Sequence, residues 1–343
     1  MITFPELAKL YIEKRQRPVG RSDRNNIRLT VKLIVECFPD IDTSTFNGDA
    51  LEEYQRFLIG KNYARKYINE KLVGFVKTLY RWGARKKLVD KNIAAEVLLV
   101  PQLQYSERIK ENPDREAARP QDIEAVLPHV PEQIADMIVL MALLGLRPGE
   151  LCNMKAGEIH TDIDHFGEKE PSFKPFHHKT KWKGKTRSVP LGDVELAIIQ
   201  KYLPGKGEQA YLFCNLYRYK DKPIDVGKFS KIIADAIKEH GLNKFVPYQI
   251  RHTNATWVSK MFDRDHARAQ MGHTSEAITQ KYDHSDGEKQ KAVLQKRKAV
   301  GYVLSPGVIA RYGGATPSKS VLRRFLRLLV IPFAFMFSVL FGR

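Results

Sequence analysis

The sequence predicts a mainly α protein with a small antiparallel β-sheet, arranged as a helical bundle followed by a second, α+β domain. A chain of 343 residues exceeds what one ordinary core organises. Its first hundred residues repeat apolar positions three and four apart, with almost no strand alternation. From Glu158 to Leu191 the pattern changes to short β-branched and aromatic runs cut by Gly167, Pro171, Pro175 and Gly184, which predicts the sheet.

In chain order, helices are expected over Phe4 to Lys14, Asp23 to Cys37, Gly48 to Ile59 and Ala64 to Lys86. In the last of these, Tyr67, Ile68, Leu72, Phe75, Val76, Leu79 and Trp82 share a broad face that would close a bundle spanning residues 1–103. Residues 104–120 are polar and charged, with Pro113 and Pro120 bracketing Arg115 to Arg119, and read as a linker. A second domain over 121–300 starts with a helix whose Ile134 to Leu144 stretch is apolar enough for the centre of a core, stopped by Gly145. After the sheet, helices return at Val194 to Leu203, Val226 to Gly241 and Pro247 to Phe262, and Lys289 to Val300 reads as a charged helix. Residues 301–343 form a tail.

Charge narrows the partners. Lysine and arginine outnumber aspartate and glutamate 57 to 39, a net +18, so the surface suits a polyanion, nucleic acid being the commonest. Between Lys61 and Lys87 stand nine basic residues, including Arg65, Lys66 and Lys71, against the single acid Glu70. Such a face is either a solvated helix exterior or a track for phosphates. Cys37, Cys152 and Cys214 are odd in number and widely spaced, which predicts neither a disulfide framework nor a zinc site and suits a reducing compartment. The histidines His160, His165, His177 and His178 lack a matching cysteine or carboxylate pattern, so no metal is expected. Met1 to Gln16 has no apolar run of the secretory kind, and a cytoplasmic location is expected. Leu328 to Phe341 is almost wholly apolar but short of the roughly 20 residues of a span. It reads as a segment docking on another protomer, with an interfacial membrane contact or a segment under no selection as the lesser alternatives.

The chemistry lies in two blocks. In Leu144-Gly145-Leu146-Arg147-Pro148-Gly149-Glu150-Leu151, Arg147 precedes a proline suited to a helix's first turn, and its guanidinium could take two phosphate oxygens at once. Glu150 could orient Arg147 or cap the helix start, and capping is the simpler role. In the second block, Tyr248 and Arg251 are three apart on one helix, within Ile250-Arg251-His252-Thr253, with Met271-Gly272-His273 and Tyr282-Asp283-His284 behind. A lone arginine or tyrosine would read as surface; the ordered set carries the signal.

Together these blocks resemble the catalytic domain of the tyrosine recombinase (phage integrase) family over roughly Pro120 to Ser285, and the basic helical region resembles that family's core-binding, DNA-binding domain. The resemblance implies that Arg147 and Arg251 clamp the scissile phosphate, that His273 donates a hydrogen bond to it, and that Tyr282 attacks it. A 3′-phosphotyrosyl intermediate and a free 5′-hydroxyl would result, with bond energy conserved, so that no metal, ATP or other cofactor is implied. A phenol ionises near pH 10, and neighbouring cations would favour its phenolate. The family's proton-donating lysine sits on a β-hairpin. Here Lys179, Lys181, Lys183 and Lys185 fall at period two. Lys179 matches best, Lys181 next, and the rest, Lys183 among them, would touch backbone phosphates. The partners implied are double-stranded DNA, further copies of the chain in a DNA-dependent homotetramer joined through the C-terminal segment, and accessory DNA-bending proteins.

One position departs from the family. Where histidine, or sometimes lysine, usually stands three residues before the second arginine, this chain has Tyr248, which can donate a hydrogen bond to phosphate but is a poor base at neutral pH. The expected activity is site-specific strand cleavage and rejoining. The alternatives are a DNA-binding protein of the same fold with weakened catalysis, a DNA-relaxing enzyme of the type IB topoisomerase kind, and a membrane-associated protein held by the apolar tail.

Overall fold

Two units make up the computed structural model, Met1–Asp114 and Arg115–Arg343. It describes residues 2–14, 20–39, 42–113, 116–161, 171–176, 188–214, 221–272 and 283–313. The protein is mostly helical with one small antiparallel sheet, as its sequence predicts.

The first unit is a bundle of α1 (Phe4–Glu13), α2 (Arg21–Cys37), α3 (Gly48–Gly60), α4 (Arg65–Tyr67), α5 (Val73–Arg85) and α6 (Lys91–Leu99). Thr3 and Glu6 form a capping box at the start of α1, and the carboxylate of Asp90 accepts from the Asn92 and Ile93 N–H groups to start α6. Between α4 and α5 the helix passes through a π turn, Ile68–Leu72. Asn69 in that turn is buried, and its side chain donates to the Leu103 carbonyl at 2.9 Å and accepts from the Leu103 N–H at 3.0 Å. The Arg65 N–H likewise donates to the Lys110 carbonyl at 2.9 Å, so the chain as far as Lys110 is bonded to this unit. Aromatic rings fill the core: Phe4 meets Phe46 edge-on at 4.9 Å and Tyr11 meets Trp82 at 5.6 Å.

In the second unit α7 (Pro120–Val126) leads to α8 (Glu132–Leu144), whose residues from Ile134 onward are all buried. One of them is a carboxylate. Asp136 is satisfied by the Tyr202 hydroxyl at 2.7 Å and the Lys201 ammonium at 3.1 Å, which is how a charge is tolerated there. Around α8 lie α9 (Pro148–Cys152), the sheet β1–β2–β3 (Ile159–His160, Ser172–Phe173, Val189–Pro190), α10 (Asp193–Gln200), α11 (Val226–Glu239), α12 (Pro247–Met261), α13 (Arg264–Met271), α14 (Asp283–Val300) and α15 (Pro306–Ala310). Both strand pairs are antiparallel, with Phe173 opposite Ile159 on one side and Val189 on the other. Val303, Leu304, Val308 and Ile309 are buried in the core built on α8, and the Ser305 N–H donates to Glu124 at 2.6 Å. Among the described residues no helix is long and apolar enough to cross a membrane, and Leu328 to Phe341 lies outside them.

Candidate active site

The site is organised by the C-terminus of α8. A helix ends with carbonyls that have no intrahelical partner and with the negative end of its dipole. Here side chains from three other helices answer them. From α12, Asn254 donates its Nδ2 to the carbonyls of Ala142 at 2.8 Å and Leu143 at 3.0 Å. From α13, Gln270 donates to Leu144 at 3.2 Å. Arg297 of α14 donates to Leu143, and Arg251 of α12 donates Nη1 to Gly145.

Gly145 makes the turn possible. It closes α8 at φ +62°, and a Cβ there would lie 2.7 Å from Asn254 Oδ1 and 2.9 Å from Met271 Cε, so a side chain would meet both strain and collision. Two residues on, Arg147 is the N-cap of α9. The Glu150 carboxylate accepts the Arg147 backbone N–H at 2.9 Å and its Nη1 at 2.8 Å, so this acid both caps the helix and holds the guanidinium. Arg147 stays one-quarter exposed while Glu150 is buried.

Arg251 is 1% exposed. Its Nη2 donates to the Met271 carbonyl at 2.6 Å, so its plane is set by backbone from two helices, the end of α8 and the last residue of α13. Gly272 follows at φ +59°, closing α13 just before position 273. Tyr248 stands in the first turn of α12, half-buried, with its ring edge-on to His252 at 5.0 Å. The described residues therefore bring Arg147 and Arg251 to one helix end and put Tyr248 one turn before Arg251. Lys179, Lys181, Lys183, His273 and Tyr282 lie outside the described residues.

On the first unit, Arg65 is turned inward, its Nε paired with Glu111 and its Nη1 3.4 Å from the Leu103 carbonyl. Lys66 is exposed. Lys71 lies 4.0 Å from Asp23 and 6.0 Å from the Phe75 ring centre. Among the described residues no group of three or more histidine, cysteine, aspartate or glutamate side chains is placed to hold a metal.

Residues 119–289 match the Phage integrase family, a span that takes in every residue of the proposed constellation. The chain belongs to the phage integrase family. Among curated relatives, the tyrosine recombinase XerA of Pyrococcus horikoshii is 26% identical over 180 residues, 51% of this chain and 59% of the relative. A tyrosine recombinase of Thermosipho africanus is 30% identical over 160 residues, 46% of this chain and 51% of the relative. The chain thus spans between half and three-fifths of the length of the curated relatives it matches. Among solved structures, the Tn1549 transposon integrase in complex with circular intermediate DNA aligns with TM-score 0.60 at 15% identity, covering 81% of this chain and 94% of that one. A lambda integrase dimer bound to a COC′ core site aligns with TM-score 0.58 at 15% identity, covering 80% and 95%. At these identities the likeness is one of fold.

In this phage integrase family member, Asn254, Gln270 and Arg297 donate to the end of α8 without having been singled out by sequence reasoning. Asn254 carried a signal, because a polar residue on the apolar face of the Pro247 helix needs a buried partner. Arg297 carried none: in a helix rich in lysine, nothing in the sequence marks it as a cation that turns inward.

Proposed function

We propose that this phage integrase family member is a site-specific DNA recombinase that cuts and rejoins duplex DNA through a covalent bond to Tyr282. The observation that carries the reading is the joint setting of Arg147 and Arg251 at the end of α8, within a span that matches the family. Two guanidiniums fixed by backbone and by Glu150 favour a phosphorane over the diester, because their donors are oriented before charge accumulates. Tyr282 attacks phosphorus as its phenolic proton passes to water, and the bond to the 5′-oxygen breaks. Lys179 gives that oxygen its proton, His273 and Tyr248 donate hydrogen bonds to the non-bridging oxygens, and return of a 5′-hydroxyl reverses the step. Arg251 is nearly inaccessible in the described fold, so a phosphate reaches it only as surrounding side chains give way on DNA binding.

Duplex DNA is the partner, its backbone tracked in part by Lys66 and Lys71. Residues 301–313 are packed on their own unit, which leaves the segment beyond residue 313 as the part of the tail that joins protomers in a DNA-bound tetramer. Accessory DNA-bending proteins are further partners, and the compartment is the cytoplasm.

The test is incubation with nicked suicide duplexes from the flanks of the chain's own gene, followed by denaturing electrophoresis. A covalent adduct that is lost in Tyr282→Phe is expected. Tight binding with no adduct on any site would overturn the proposal in favour of a DNA-binding protein with weakened catalysis.

A further inference from the structure

This inference rests on the strand-exchange reading and deepens it. The helix α14 begins at Asp283, immediately after position 282 in sequence, and between Lys289 and Arg297 it is fastened to its own unit. Lys289 lies 3.6 Å from Asp265, Gln290 donates to the Ala269 carbonyl at 2.7 Å, and Val293 is buried against Val258 and Ala267. Arg297, 2% exposed, donates Nη1 to Glu195 on α10 and Nη2 to the Leu143 carbonyl on α8. That carbonyl also accepts from Asn254. It stands two residues before Gly145, which holds Arg251, and four before Arg147.

Packing alone is a poor reason for such a pair. Glu195 is also buried, and taking both charges out of water offsets most of their attraction, so a methionine and a leucine would serve a core as well. What the pair supplies is geometry. A guanidinium is a rigid plane with donors at fixed angles, and here it spans acceptors on two different helices, one of them at the negative end of α8. A lysine in its place has no such plane.

We propose that Arg297 is a positioning residue for DNA cleavage: through Glu195 and the Leu143 carbonyl it sets the end of α8, and so Arg147 and Arg251, against the helix that follows position 282. It touches no reacting atom.

Two variants separate this role from stability. Arg297→Met combined with Glu195→Met removes both charges, so neither is left buried alone, and Arg297→Lys keeps the charge without the fork. The readouts are single-turnover adduct formation at saturating DNA, the dissociation constant for the same DNA, and hydrogen exchange of amides 141–147 and 283–300 in the free protein. For the folded double variant, the expected affinity is within about threefold of the parent, with adduct formation slower by between about tenfold and a hundredfold. Exchange at 141–147 is faster, and Arg297→Lys falls between the two. A folded variant with adduct formation within about twofold of the parent and unchanged exchange would overturn the proposal. If the double variant does not fold, the same comparison is read from Arg297→Lys. If the parent itself forms no adduct on any DNA, the recombinase reading fails, and unchanged exchange in a folded variant still decides against Arg297 as the link.

Discussion

The carbonyl of Gly145 accepts a hydrogen bond from Nη1 of Arg251, 106 residues further along the chain, and this bond joins the two sequence blocks into one site. It comes at a helix end, where a carbonyl lacks an internal partner and the dipole favours a cation. Arg251 is thus held by the turn that presents Arg147. Replacing Gly145 by alanine forces a left-handed residue with a side chain against Asn254 and Met271. A loss of about 2–4 kcal/mol is expected, read from urea unfolding, with DNA cleavage falling more than DNA affinity. A variant as stable as the parent would show that the turn carries no such constraint.

Asn254→Leu keeps volume and removes the donors that serve Ala142 and Leu143. Leaving the Ala142 carbonyl buried without its partner costs about 2–3 kcal/mol. Leu143 still receives Arg297, so Asn254→Leu combined with the Arg297→Met and Glu195→Met pair should lose more than the sum of the two changes. Additive losses would argue that the carbonyls are held independently.

The helices were legible because their apolar periodicity is strong: those placed at Phe4, Gly48, Val226 and Pro247 start where the sequence puts them. The short helix α6 is not legible in the sequence, since its nine residues carry too little one-sided apolar pattern to stand out. Arg147 and Arg251 were legible through their neighbours in sequence. The carbonyl cluster between them was not, because its members come from four helices and are related only by folding. The π turn at Ile68 was likewise hidden, since inserting one residue leaves the apolar spacing readable as an ordinary helix.

Tyr248 occupies the first turn of α12, one turn before Arg251. As a phosphate hydrogen-bond donor it should be dispensable for folding and for DNA affinity but not for rate. Tyr248→Phe is expected to slow single-turnover cleavage by roughly ten- to a hundredfold. Cleavage at the parent rate would remove Tyr248 from the mechanism.

Alkaline pH tests the second core. Burial, with a smaller contribution from Asp225, pushes the Cys152 thiol from 9.0 up to about 12. The folded protein keeps this proton where the unfolded chain releases it, so the contribution is complete below the unfolded value and declines as pH rises from there toward the folded one. Burial raises the Tyr202 hydroxyl above its ordinary value in the same sense, with Asp136 beside it adding to the shift. The urea midpoint should therefore fall steadily above about pH 9, and Cys152→Ala should flatten part of that slope. A midpoint constant across this range would contradict the burial of these groups.

The most direct measurement is to trap the protein on a suicide duplex, digest it, and identify by mass spectrometry the peptide that carries the nucleotide. The expected result is a single modified residue, Tyr282, joined to a 3′-phosphate, in the parent and in Tyr248→Phe. A nucleotide on Tyr248, on another residue, or on the 5′ side of the break would contradict the proposed chemistry.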